Sequence, residues 1–275
     1  MIRIDLHLHS LHSDGTSSVE ELVSLARQKR VSVLSLTDHD TAEGILPFLT
    51  SCKRNGVQGI SGIELSAKSP YALHILGYRF DPQEPELLRA LERVRQDRDV
   101  RNVQMCEKLT ALGVSVSFQE VQDEALGGVI ARPHFARVLV RKGVVPDVRS
   151  AFDRYLGDGR PGYVSRETLS ARECIALIKG AGGLAVMAHP YLTGLNEDEL
   201  EVLLRELIGH GLWGMECVSS HHDAGQIYRL LALADKLNLY PTAGSDYHGG
   251  NRQTAGLGVV VSEEFLPWAR LGVHL

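Results

Sequence analysis

Apolar residues recur along the chain with two different periods, which separate predicted strands from predicted helices. Short apolar or alternating runs predict strands over residues 2–8, 31–36, 57–66, 73–80, 184–188, 213–218, 239–243 and 257–261. Segments with a helical period lie between most of these strands, and Ser17 or Ser18 and then Thr41 are expected to cap the first two helices. The alternation indicates an α/β fold with a largely parallel sheet.

The middle of the chain departs from this alternation because it has little strand signal. Helical patterns cover residues 85–112, 118–124, 133–142 and 148–156. We therefore predict a helical insertion, or cap subdomain, over residues 81–164, within a domain formed by residues 1–80 and 165–275. Roughly seven or eight strands favour a closed or distorted α/β barrel. A flat doubly wound sheet is the alternative, although no glycine-rich phosphate motif follows the first strand.

Composition narrows the class of protein. The chain has 275 residues and a net charge of -5, which argues against a basic nucleic-acid coat protein or a stable nucleic-acid complex. No apolar run approaches a membrane span, and the charged start, MIRIDLHLHS, is unlike a signal peptide. The four cysteines have no C-x-x-C spacing and are expected to be reduced thiols. Together these features predict a cytoplasmic protein without a membrane partner.

Histidines and carboxylates gather at the ends of the predicted strands, where α/β barrels build active sites. His7 and His9 lie two apart in one strand, so both side chains point to the same face, and Asp246 and His248 repeat this spacing. The other candidates are Asp14, His39, Glu64, His74 and His189. Nitrogen and oxygen ligands without thiolates favour Zn, Mn or Fe. Each cluster taken singly is also compatible with a structural polar group.

Six motifs occur in order over essentially the whole chain: DLHLHS with SDG, LTDHD, GIE, HILGY, AHP and GSDYH. In these motifs the chain resembles the polymerase and histidinol phosphatase (PHP) superfamily. The resemblance implies a distorted (β/α)7 barrel with a trinuclear metal site at the carboxyl ends of its strands. It implies three ligand sets: His7, His9, Glu64 and Asp246 for the first metal; Glu64, His74 and His189 for the second; Asp14, His39 and His248 for the third.

Asp14 departs from some family members, which have histidine at this position. The resemblance then implies a third site that is weaker or that prefers a harder metal. We expect two or three divalent ions in all, of Mn, Zn or Fe.

Within the superfamily the closest resemblance is to small phosphoesterases that include nucleoside 3′,5′-bisphosphate phosphatases and 5′→3′ exoribonucleases. The segments ARPH and RPGYV of the insertion carry it. By this resemblance the insertion covers the metal site, and Arg132, His134 and Arg160 bind substrate phosphate. The alternative is that Pro133 only begins a helix and its neighbours are solvated.

The resulting mechanistic hypothesis is hydrolysis of a phosphate ester by a hydroxide that bridges two metals. Glu64 bridges these metals, Arg132 clamps a phosphate and His134 donates a proton to the leaving oxygen. Asp5, Asp38 and Asp40 are expected to orient ligating imidazoles. His221 and His222 are interpreted as loop or substrate-contact residues rather than ligands.

Three other functions stay open from the sequence. The first is a histidinol phosphate phosphatase, although the insertion's arginines suit a more anionic substrate. The second is a nuclease that shortens RNA from a 5′ phosphate, which an acidic protein can do if it holds only terminal nucleotides. The third is a non-catalytic metal-binding interaction domain. The sequence defines neither the native metal nor the oligomeric state.

Overall fold

The structure is a computed structural model that describes residues 1–126, 128–165, 168–251 and 256–273. The described residues form eight strands: β1 (Ile2–Leu8), β2 (Val33–Leu36), β3 (Gln58–Ser66), β4 (His74–Tyr78), β5 (Leu184–Met187), β6 (Gly214–Ser219), β7 (Tyr240–Gly244) and β8 (Val259–Val261). Each falls within a predicted strand or extends past it by one residue. The period-two and β-branched signals therefore located the sheet correctly.

Ten α-helices occur among the described residues: α1 (Val19–Gln28), α2 (Ile45–Asn55), α3 (Pro85–Ala111), α4 (Phe118–Glu124), α5 (Arg132–Arg141), α6 (Val148–Ala151), α7 (Ala171–Gly180), α8 (Glu197–His210), α9 (Ala224–Leu237) and α10 (Trp268–Leu271). The cap predicted at Thr41 is wrong, because residues 41–44 form a turn in which the Thr41 hydroxyl accepts from the Glu43 N–H. The helix predicted over 148–156 is α-helical only in its first turn and continues as a π-helical turn, Phe152–Leu156.

One sheet contains all eight strands in the order β7-β6-β5-β4-β3-β2-β1-β8. The neighbouring pairs β1–β2, β2–β3, β5–β6 and β6–β7 are parallel, whereas β4 is antiparallel to both β3 and β5, and β8 is antiparallel to β1. The reversal of β4 matters for function. It places the first residue of β4, His74, opposite Ser66 at the carboxyl end of β3.

The sheet curls into a distorted, nearly closed barrel, as predicted. The chain after β7 completes the closure, since the His9 N–H donates to the Tyr247 carbonyl at 3.0 Å. Gly244 makes this approach possible, because a Cβ there would lie 2.4 Å from the Cβ of His7. Closure at this point brings the end of β7 against the end of β1.

The inserted helices have a hydrophobic core of their own. Met105, Leu109, Val121, Phe135 and Leu139 belong to a buried cluster drawn from residues 105–156, separate from the clusters around the sheet. A separate core is what a cap subdomain requires, and the proposed boundaries at residues 81 and 164 stay a prediction. Within the described parts of the chain, no helix combines the length and apolarity needed to cross a bilayer.

Candidate metal centre

The ends of six strands bring the predicted ligands to one edge of the barrel. His7 and His9 lie on one face at the end of β1 and are both fully buried. The loop after β2 runs beside β3, where the Asp40 N–H donates to the Glu64 carbonyl, and this pairing sets His39 next to Glu64. Four other ligands lie at strand ends. His74 begins β4, His189 comes two residues after β5, and Asp246 and His248 come shortly after β7.

Asp246 and His248 follow strand β7, as predicted, and share the spacing of His7 and His9 but not their strand geometry. β7 ends at Gly244, and Asp246 has a left-handed backbone with φ +54°. His248 Nδ1 lies 2.8 Å from the Asp246 carbonyl oxygen. The two side chains therefore share the site through a tight turn and not through strand alternation.

Glu64 is the centre of the cluster and is completely buried. Its Oε2 faces three ring nitrogens, those of His39 at 3.1 Å, His9 at 3.2 Å and His7 at 3.4 Å. Its Oε1 faces two others, those of His74 at 2.8 Å and His189 at 3.0 Å. The two oxygens thus face different histidines, as a carboxylate that bridges two metals would.

Two more carboxylates join the cluster. Asp246 Oδ1 lies 3.2 Å from His9 Nε2 and 3.4 Å from His7 Nε2, and Asp14 Oδ1 lies 3.2 Å from His248 Nε2. Three groups have ligand atoms that lie within 4.8 Å of one another: His7, His9, Glu64 and Asp246; His39, Glu64 and His74; His9, Asp14, His39 and His248. The structure therefore brings together all the predicted ligands, while their individual assignment to ions stays a prediction.

The chemistry of the cluster fits divalent metals. Five buried ligand atoms make no hydrogen bond among the described residues: His7 Nε2, His9 Nε2, His39 Nδ1, His248 Nε2 and Glu64 Oε2. Buried polar atoms without such partners are costly in a protein interior. Imidazole nitrogens and carboxylate oxygens that converge in this way would be satisfied by coordination to Zn, Mn or Fe.

Electrostatics in the cluster favour ionised carboxylates. Burial opposes ionisation of Glu64, but His39, His74 and His7 hold the pKa of this carboxyl well below its usual range. Burial likewise opposes protonation of His7 and His9. The facing carboxylates nevertheless raise the pKa of His7 well above its usual value and that of His9 to about 10. Without metal, these two imidazoles therefore carry protons at neutral pH.

Metal binding is expected to release protons and to strengthen as pH rises. The pKa values of His7 and His9 are raised without metal, and a metal ion needs the neutral imidazole. Between pH 6 and 8 both protons must be displaced, so affinity should rise about tenfold per pH unit for each proton. Calorimetric Mn²⁺ titrations in buffers with different ionisation enthalpies will count these protons. An affinity independent of pH would contradict the protonated state.

Glu216 and His221 also contact the predicted ligands. Glu216 was not predicted, and His221 was interpreted only as a loop or substrate-contact residue. Glu216 Oε1 lies 3.0 Å from His7 Nδ1, and the His189 N–H donates to Glu216 Oε2 at 2.8 Å. His221 Nε2 lies 2.7 Å from Asp246 Oδ2, beside a predicted ligand. The sequence signal for Glu216 was a lone carboxylate within the apolar run 213–218, which carries a cost unless it is partnered.

Asp5 and Asp38, which were predicted to orient ligating imidazoles, contact backbone and serine groups instead of the imidazoles themselves. Asp5 accepts hydrogen bonds from the N–H groups of residues 7, 245 and 258 and from the Ser245 hydroxyl. Asp38 accepts from Ser10 and Ser13. Both carboxylates hold the loops that carry the ligands through these backbone and serine donors. Asp40 binds Ser66 and Arg98. The His222 side chain faces the backbone, with Nδ1 3.1 Å from the Cys217 carbonyl oxygen.

A cavity of about 510 Å³ opens beside the cluster, between the barrel and the insertion. Its wall includes Asp14, His39 and His74 on the metal side and Arg98, Arg101 and Arg132 on the insertion side. Arg98 and Arg101 are each only 5% exposed and were not predicted as site residues. They continue the buried stripe of α3 after Leu87, Leu91 and Val94 at intervals of three or four. Arginines on the apolar face of a helix are the signal that could have found them.

The three predicted phosphate-binding residues have different surroundings. Arg132 lines the cavity, pairs with Asp158 and lies over the rings of Phe152 and Tyr163 at 5.9 and 5.5 Å. His134 is 1% exposed, and its Nδ1 accepts from the Ala131 N–H at the start of α5.

Burial lowers the pKa of His134 to about 4, so its imidazole is neutral at pH 7. These surroundings favour a structural role, and the predicted proton donation stays untested. Arg160 is exposed and lies outside the cavity wall.

The chain is similar to proteins of a known family, since residues 5–178 match the model of the PHP domain. The chain belongs to the PHP domain family. Relatives include a 3′,5′-nucleoside bisphosphate phosphatase of Chromobacterium violaceum, 36% identical over 90% of this chain and 88% of its own. A 5′-3′ exoribonuclease of Haemophilus influenzae is 34% identical over 90% of both chains.

A solved structure has the same fold. It is an amidohydrolase from Chromobacterium violaceum with bound sulfate and no metal. It superposes with a TM-score of 0.89 at 34% identity and covers 98% of this chain and 95% of its own. The relatives that are 36% and 34% identical to this chain are a phosphatase and an exoribonuclease. The buried cluster of histidines and carboxylates supplies groups that can bind metal ions. This PHP domain protein is therefore a metal-dependent phosphoric ester hydrolase, not a non-catalytic interaction domain.

Proposed function

We propose that this PHP domain protein hydrolyses phosphate esters of nucleotides, with a nucleoside 3′,5′-bisphosphate as the preferred substrate. The observation that carries the proposal is the shared cavity, which has three of the predicted metal ligands, Asp14, His39 and His74, on one wall and three arginines on another. Arginine guanidinium groups bind phosphate oxygens in bidentate fashion. A substrate with two phosphates can place one at the metals and keep the other at the arginines.

Two or three divalent ions of Mn, Zn or Fe would be held by the ligand sets given above. Such ions, when bound, lower the pKa of water to roughly 7 and polarise phosphoryl oxygens. The oxygens of Glu64 face His7 and His9 on one side and His74 and His189 on the other. Glu64 is therefore the proposed bridge between the first two ions.

The arginines have fixed positions before substrate arrives. Arg98 is held by Asp40, which also binds Ser66 beside the metal cluster. Arg132 is held by Asp158 and lies against two aromatic rings. Preorganised cations lose little conformational freedom on binding and stabilise the charge of a phosphoryl group as it is transferred.

Hydrolysis of short 5′-phosphorylated RNA is a second candidate, supported by the exoribonuclease among the relatives. A cavity of about 510 Å³ suits a drug-sized ligand and so a terminal nucleotide. Histidinol phosphate fits less well, because its cationic part would face Arg98, Arg101 and Arg132.

Phosphate release from three substrates will test the proposal. Manganese-loaded protein would be given adenosine 3′,5′-bisphosphate, histidinol phosphate and a 5′-phosphorylated RNA oligomer, with a chelated sample as control. We expect the highest kcat/KM for the bisphosphate, because only this small substrate presents a second phosphate to the arginines. A preference for RNA would support the second candidate. A preference for histidinol phosphate would overturn the nucleotide assignment.

A further inference from the structure

Glu216 is a buried carboxylate that touches two predicted ligands from two different strands. It lies in the middle of β6 with no exposed surface, between Met215 and Cys217, which are equally buried. Its Oε1 is 3.0 Å from His7 Nδ1, at the end of β1. Its Oε2 accepts from the His189 N–H, after β5, at 2.8 Å. Each oxygen therefore serves a different ligand.

We propose that Glu216 is a positioning residue that links the first two metal positions by fixing His7 and His189 together. This inference rests on the metal centre of the proposed function and assigns a role to a residue outside the ligand sets. It predicts that substitution of Glu216, which binds no ion itself, lowers the metal affinity of two sites and not of one.

The contact with His7 sets which ring nitrogen is available to a metal. A carboxylate only accepts hydrogen bonds, so in the neutral, metal-binding form of His7 the remaining proton lies on Nδ1 and is donated to Glu216. His7 Nε2 then carries the free electron pair, and it points at Glu64 and Asp246 at 3.4 Å. A carboxylate behind a ligating histidine fixes the tautomer and makes the imidazole a stronger ligand.

The contact with His189 holds a strained backbone in place. His189 has φ +24° and ψ +65°, a conformation that residues other than glycine seldom adopt. It lies where β5 ends and a 3-10 turn, Pro190–Thr193, begins. The hydrogen bond to Glu216 holds this conformation, and with it the imidazole that lies 3.0 Å from Glu64 Oε1.

Gly244, on the neighbouring strand β7, leaves the space that Glu216 and His7 occupy. A Cβ at Gly244 would lie 3.0 Å from Glu216 Oε1 and 2.4 Å from the His7 Cβ. Glutamine has the same shape but only one acceptor oxygen, so the Glu216→Gln variant can accept only one of the two hydrogen bonds, from His7 Nδ1 or from the His189 N–H.

The test compares metal affinity in Glu216→Gln, in wild type and in a matched control, Ser219→Ala. Ser219 lies on the same strand, is also buried, and its hydroxyl makes no hydrogen bond among the described residues. Mn²⁺ would be titrated into metal-free protein against a competing chelator. We expect the two tightest sites to weaken about 10- to 100-fold in Glu216→Gln and to stay unchanged in Ser219→Ala. Wild-type affinity in Glu216→Gln would overturn the proposal.

If the Glu216→Gln variant does not fold, a measurement on the wild-type protein tests the role of Glu216 instead. Long-range ¹H–¹⁵N spectra of the zinc-loaded protein report where each imidazole carries its proton. We expect a slowly exchanging proton on His7 Nδ1, and a proton on His7 Nε2 would overturn the proposal. Wild-type protein that binds no metal would overturn the metal centre itself. If wild-type protein binds metal with full affinity but hydrolyses no nucleotide, only the proposed substrate would be overturned.

Discussion

The Glu64→Gln variant is expected to lose phosphate release almost completely and to bind at least one metal ion fewer per chain. Five histidines lie within 3.4 Å of its two carboxylate oxygens, which is the arrangement expected if Glu64 bridges two ions as proposed. An amide has one acceptor oxygen and no charge. We expect activity to fall more than about a thousandfold, beyond the 10- to 100-fold loss typical of a residue that only supports a ligand.

Metal content after dialysis and the rate of phosphate release will check this expectation. Glu43→Gln is a suitable control, because Glu43 is exposed and belongs to none of the ligand groups. The control should retain both metal and activity. Full activity with unchanged metal content in Glu64→Gln would show that Glu64 does not bridge the ions.

The Arg101→Met variant is expected to bind its substrate's second phosphate poorly. Arg101 lies in the cavity wall and is buried on α3, and methionine preserves most of its apolar packing. A hydrogen bond to a charged group contributes about 1.5–3 kcal/mol, which corresponds to a loss of roughly 10- to 150-fold in kcat/KM. Arg98 is a less clear choice, because it also pairs with Asp40 and its loss would disturb the loop that carries His39.

Arg95→Met provides the matched control for Arg101→Met on the same helix. Arg95 is exposed, pairs with Glu92 and lies outside the wall of this cavity. Its replacement should leave kcat/KM for the bisphosphate within about twofold of wild type, since exposed pairs contribute little. Equal effects of the two substitutions would show that charge at long range, and not contact with phosphate, explains the loss. A loss confined to monophosphate substrates would contradict the role in binding a second phosphate.

The sequence by itself determined most of the elements and the candidate ligands. Period-two runs placed the strands, and capping residues such as Ser18 placed helix starts, because these signals act over a few residues. His7 and His9 share a face for the same local reason. The motifs around Asp14, His39 and Glu64 then indicated the PHP family, which the comparisons confirm.

Tertiary structure alone decided how these local pieces meet. The reversed direction of β4 carries His74 to the ligand edge, and the closure of β7 against β1 carries Asp246 there. Glu216 and Arg101 were visible in the sequence only as charged residues in apolar patterns. Glu216 contacts ligands from two other strands, and Arg101 lines the same cavity as the metal cluster. Strand direction and long-range contacts arise when distant segments pack together, and no local period of a chain encodes which segments those will be.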